Sequence, residues 1–114
     1  MALNAVKHKD KYTAATTVFN GEKGCYNLAL TSLKEIDGES SYKIIVNGKL
    51  IQQLQNPETK IDFEPHTFTV KNVRIQTGTT IEIQFNSHSN GKIPEKGGFA
   101  YSRGRWRKLE IISK

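Results

Sequence analysis

Apolar residues in this chain recur at every second position and show no helical spacing over a useful length, which confines it to β-structure. Tyr26, Leu28 and Leu30 alternate with Asn27 and Ala29, and Ser32 extends the same face. Tyr42, Ile44 and Val46 form the apolar side of a second strand; Asn47-Gly48 then suits a two-residue type I′ hairpin, whose central positions both need φ > 0. Leu50 and Ile51 begin the return strand, expected to end in the polar run Gln52–Glu58 around Pro57. Phe68 and Val70 alternate, but Val73 and Ile75 resume on the opposite parity, which places a β-bulge near Lys71-Asn72. Gln76-Thr77-Gly78-Thr79 reads as a turn. Ile81, Ile83 and Phe85 then face inward with Glu82 and Gln84 outward, Leu109 and Ile111 close the last strand, and Tyr12 to Phe19 adds one or two edge strands. Short strands punctuated by Gly, Asn, Asp and Pro predict an all-β antiparallel sandwich of jelly-roll type.

With 114 residues, the expected organisation is one domain, 1–114, large enough to hold a core without metal or disulfide staples. No apolar run approaches the roughly 20 residues that cross a bilayer. The opening MALNAVKHKDKY lacks the apolar segment of a signal peptide, so a secreted parent would be represented here by a fragment or mature form. The lone Cys25 cannot form an internal disulfide, and its place in an apolar run predicts a buried thiol.

If consecutive strands run antiparallel, the loops 34–40, 56–65 and 86–106 share one end of the sandwich, and the turns at Asn47-Gly48 and Gly78 share the other. Long loops gathered at one end are where sandwich domains usually carry binding residues. The longest loop holds Asn86, His88, Asn90, Lys92, Glu95, Tyr101, Arg103, Arg105 and Trp106. The chain is basic, with net charge +6, and residues 92–114 contain seven basic against two acidic residues, a net of +5. Such a field favours anionic partners: nucleic acid, acidic headgroups, or sulfated and uronic-acid polysaccharides. A sugar site needs an aromatic face for the pyranose C–H surface, amides and carboxylates for hydroxyls, and guanidinium for sulfate or carboxylate. Trp106 and Tyr101 are the stacking candidates, with Phe99 third. Arg103, Arg105 and Asn90, with Asn86 and Lys92, are the polar ones. Trp106, Tyr101 and the two arginines also have a structural alternative: Trp106 plugs the sandwich end, and Arg103 or Arg105 pairs with Glu35, Asp37 or Glu39.

Other chemistries have weaker support. The three acids of Lys34–Ser41 surround Gly38 but lack a complete calcium-loop spacing, so calcium stays a minor alternative and no cofactor is expected. His8, His66 and His88 show no zinc spacing. Glu22, Glu35, Glu39 and Glu95 include no pair that spacing selects for glycoside hydrolysis, so the chain is read as a non-enzyme. Basic residues interleaved with Phe99, Tyr101 and Trp106 leave single-stranded nucleic-acid binding as the alternative, and a ligandless accessory sandwich as a third.

The run GCYNLALTSLKEIDGESSYKIIVNGKLI, with Tyr26, Leu28 and Leu30 followed by Tyr42, Ile44, Val46, Asn47 and Gly48, resembles β-sandwich carbohydrate-binding modules. NSHSNGKIPEKGGFAYSRGRW is similar to the loop before their final strand, and the likeness, over residues 24–114, is to family 6-like modules of bacterial polysaccharide-degrading enzymes. The Trp-Asn-Ile-Asp type of ending that supplies their site asparagine is absent. The resemblance implies a non-catalytic role: holding an attached catalytic domain on a polysaccharide, outside the cell or at its surface. With the charge, it points to a sulfated polymer of algal galactan type.

Overall fold

The computed structural model describes residues 12–95 and 97–114; His8 and Lys96 lie outside them. Nine strands are described: β1 Tyr12–Val18, β2 Gly24–Leu33, β3 Ser41–Val46, β4 Lys49–Gln55, β5 Pro65–Ile75, β6 Thr80–Asn86, β7 Pro94–Glu95, β8 Gly98–Phe99 and β9 Trp106–Ser113. They form a four-stranded sheet, β1-β6-β3-β4, a three-stranded sheet, β5-β2-β9, and a small β7-β8 ribbon, with every pairing antiparallel. The chain is an all-β antiparallel sandwich.

The core lies where the alternation placed it. Leu28, Leu30, Val73 and Ile75 of one sheet are buried against Tyr42, Ile44, Val46, Ile81, Ile83 and Phe85 of the other. Burying each such side chain is worth about 1.5–3 kcal/mol. An aromatic closes each end. Phe19 meets Tyr26 edge-on at 5.1 Å beside the Gly78 turn, and Trp106 meets Phe85 edge-on at 6.1 Å beneath the long loops.

Two local expectations hold in detail. Asn47 and Gly48 have φ of 52° and 75° and join β3 to β4 through the Val46–Lys49 pair. In β5 the three-residue step from Val70 to Val73 opposes the two-residue step from Leu28 to Tyr26, so the bulge lies at Lys71-Asn72, with Asn72 at φ 60°. The Asn72 N–H turns to donate to Asn27 Oδ1 at 3.2 Å.

β4 ends at Gln55, inside the polar run where its end was expected, and a register shift opposite Ile44/Ile45 returns Leu54 to the core while Gln52 and Gln53 face solvent. One expectation is corrected. Cys25 is exposed: it stands one residue from Tyr26, on the parity that faces away from the second sheet.

Candidate functional site

The three long loops do share one end, and a buried polar network binds them into a unit. Glu35, only 4% exposed, is its hub. Its carboxylate accepts the Arg103 N–H at 3.1 Å and the Arg105 Nε–H at 3.1 Å, joining loop 34–40 to the approach to β9. Asn56, at the start of loop 56–64, accepts from Ser32 Oγ at 2.5 Å and donates to the Tyr42 hydroxyl at 3.4 Å. That hydroxyl donates in turn to the Arg105 carbonyl at 2.5 Å. Ser40 and Ser102, both fully buried, meet at 2.5 Å. Backbone bonds add to this: Phe63 N–H to Lys34 O at 2.7 Å, Asn90 N–H to Asp37 O at 3.0 Å, and Ser102 N–H to His88 O at 2.7 Å. Buried groups satisfied from several loops at once hold the whole end in one arrangement.

Burial sets the electrostatics of this network. It pushes the Glu35 carboxyl above its ordinary 4.5, against the Arg103 N–H and Arg105 guanidinium, which pull it down. Asp37 is raised from 3.8, first by burial and further by the charge of Asp62. Burial, reinforced by the Glu35 charge, also pushes the Tyr42 phenol up, so it stays a donor.

The loops enclose a cleft of about 570 Å³ walled by Ile36, Glu39, Glu58, Thr59, Lys60, Asn90, Lys92 and Ile93. Carboxylates, ammonium groups and a hydroxyl thus surround two isoleucines. On the same loop as Glu58 and Lys60, Phe63 is 48% exposed and takes the left-handed backbone, φ 63°, an uncommon conformation for a bulky residue. The Arg105 guanidinium lies 4.8 Å over its ring, so the arginine held by Glu35 also holds the aromatic.

The sequence candidates divide accordingly. Asn90 and Lys92 line the cleft. Asn90 also braces it, donating to Ile36 O and to Glu39 Oε2, each at 2.9 Å, and Lys92 pairs with Glu58 at 3.3 Å. Arg105 takes its structural alternative, the pair with Glu35. Trp106 packs on the core as an end plug, and Asn86 accepts from the Ser41 N–H at 2.7 Å. Tyr101 is half-buried, while Arg103 and Phe99 are exposed, the latter at 52% on the β7-β8 ribbon. Phe63 was missed. It sits in a polar stretch too short to read as a strand, and only a large apolar pair, Ile61 and Phe63, in a loop was there to signal it.

Of the three acids of loop 34–40, Glu35 is engaged by Arg105 and Glu39 by Asn90, while the buried Asp37 Oδ1 accepts no hydrogen bond. Among the described residues no group of three or more His, Cys, Asp or Glu is placed to hold a metal ion.

Similar proteins bear on this geometry. No family profile matches the chain. An uncharacterized protein, P23, of Formosa agariphila is 29% identical over 109 residues, 93% of this chain but 24% of that protein, so the chain spans about a quarter of its relative's length. Among solved structures, a family 35 carbohydrate-binding module from an environmental isolate superposes with a TM-score of 0.58 at 11% identity, covering 90% of this chain and 66% of that one. A family 35 module from Clostridium thermocellum gives 0.53 at 15% identity, covering 93% and 73%. The chain therefore has the sandwich fold of carbohydrate-binding modules, with matches in families 35 and 36 where the sequence resembles family 6-like modules.

Proposed function

We propose that this chain is a non-catalytic carbohydrate-binding domain that takes a polysaccharide at its loop end and holds an attached catalytic domain on that polymer, outside the cell. The observation that carries this reading is the loop-end cleft: Glu39, Glu58, Thr59, Lys60, Asn90 and Lys92 converge there on loops braced by a buried network. Donors and acceptors fixed in advance bind hydroxyl pairs without a further ordering cost. Phe63 supplies the apolar face against which a pyranose stacks. The matching solved structures, themselves carbohydrate-binding modules, support the same class of ligand.

The preferred polymer is anionic, sulfated or uronic-acid-bearing, with an algal galactan as the first to try. The net charge of +6 and the exposed Arg103 and Lys60 at the loop end support this preference. Affinity electrophoresis through gels containing neutral and sulfated glycans tests it. Retardation by a glycan is expected, and free migration through all of them contradicts the reading.

A further inference from the structure

The end opposite the loops carries a larger cleft with a different charge. It has a volume of about 930 Å³ and runs between the β3–β4 hairpin and the second half of β5. The buried Val46 and Val73 form its floor, and the exposed Lys49, Lys71 and Arg74 stand around it. The β-bulge contributes to this arrangement, since it brings Lys71 and Asn72 to solvent in succession.

The lining holds these three cations and no carboxylate. None of the three pairs with an acid in the salt bridges of the described residues. The loop-end cleft is balanced by comparison, with Glu39 and Glu58 against Lys60 and Lys92. At the loop end Arg105 is engaged by Glu35 and Lys92 by Glu58, while Arg103 and Lys60 stay exposed. Unneutralised positive charge in a concave surface is therefore a property of the far cleft, where it concentrates anions.

We infer that this far cleft is a second glycan site, one that reads sulfate or carboxylate groups on a polysaccharide through Lys49, Lys71 and Arg74. Asn47, Gln52, Asn72 and Gln76, also in its lining, supply amides for the neighbouring hydroxyls. No aromatic side chain lines it, so a single-stranded nucleic acid would find nothing to stack on. The inference rests on the carbohydrate-binding reading, but on residues separate from the loop end. The six residues of β3 set the two clefts about 20 Å apart. A long polymer engaging both gains avidity without any new contact.

The test compares the full chain with K49Q/K71Q/R74Q, three exposed substitutions that leave the core untouched. Each is titrated by calorimetry and by amide chemical shifts with a sulfated galactan oligosaccharide and its desulfated counterpart. In the parent chain the sulfated sugar is expected to shift Asn47, Gln52, Asn72 and Gln76, and the desulfated sugar to leave them unmoved. The triple variant is expected to lose at least tenfold in affinity for the sulfated sugar. Its slope of log affinity against log salt should fall by roughly two, three lost cations at about 0.7 each. Unmoved far-cleft amides, or a triple variant with parental affinity and salt slope, overturns the inference. Displacement of the sulfated sugar by an equal concentration of oligo-dT overturns it in favour of nucleic acid. Shifts at Asn90 and Lys92 report the loop end independently: their absence alongside far-cleft shifts removes the loop-end reading and leaves this one standing.

Discussion

Glu35 and Arg105 meet at 3.1 Å with the carboxylate 4% exposed, and the same guanidinium lies 4.8 Å over the exposed ring of Phe63. One buried acid thus positions, through one arginine, an aromatic on the surface. Stability and binding can be separated along that line of contacts.

Replacing Glu35 by Ala removes the acceptor of the Arg103 N–H and the Arg105 Nε–H and leaves both without it in a half-buried site. The expected loss is about 3 kcal/mol. For a domain of this size that lowers the melting temperature by roughly 10 °C. A shift of less than 2 °C by calorimetry contradicts the role of Glu35 as hub.

Glu35→Gln keeps an acceptor and removes the ionisation. Because burial raises the Glu35 pKa above 4.5, the folded state binds the proton more tightly than the unfolded one. The stability this provides is fully present below about 4.5 and is lost as pH rises through the folded value. Urea denaturation between pH 4 and 8 should therefore show the variant gaining on the parent as pH rises. A constant difference across that range contradicts the raised pKa.

Gly38→Ala strikes at the closest approach in the loop end. A β-carbon there would lie 1.9 Å from the His88 carbonyl oxygen and 2.9 Å from Ser102 Oγ. The neighbour is backbone, so relief requires loops 34–40 and 86–105 to separate. Destabilisation of about 3 kcal/mol or more is expected. Limited proteolysis should cut the variant first between residues 86 and 105, and a parental cleavage pattern contradicts the close packing.

Phe63→Gly is expected to divide the two properties most cleanly. Glycine accepts φ 63° without the cost of about 1 kcal/mol that a side chain bears there, which offsets the lost contact with Arg105. The melting temperature should stay within a few degrees of the parent while glycan affinity falls about tenfold. Trp106→Ala should do the reverse and lose about 3 kcal/mol of stability, because its ring packs on Phe85 and the core. Parental affinity in Phe63→Gly would remove the stacking role.

The sandwich was legible because alternation reports burial directly. Tyr42, Ile44 and Val46, and Ile81, Ile83 and Phe85, are buried as their spacing requires, and the parity slip at Lys71-Asn72 is a bulge. Loop positions carry no such period. Trp106 reads from sequence as platform or end plug with equal force and Arg105 as ligand group or ion-pair partner, and only their contacts with Glu35 and Phe85 decide where the side chains go. Cys25 failed for a narrower reason: beside a run apolar on both parities, its own parity had to be read from Tyr26. Phe63 and the basic far cleft were invisible because each is assembled by backbone geometry, a left-handed residue in one case and two strands from different sheets in the other.

Binding at the loop end is the central claim, and amide chemical-shift mapping with an oligosaccharide identified by affinity electrophoresis tests it most directly. Shifts concentrated at Ile36, Glu39, Lys60, Phe63, Asn90 and Lys92, and abolished or weakened about tenfold in Phe63→Gly, are the expected result. A bound sugar that leaves all six of these amides unmoved contradicts it.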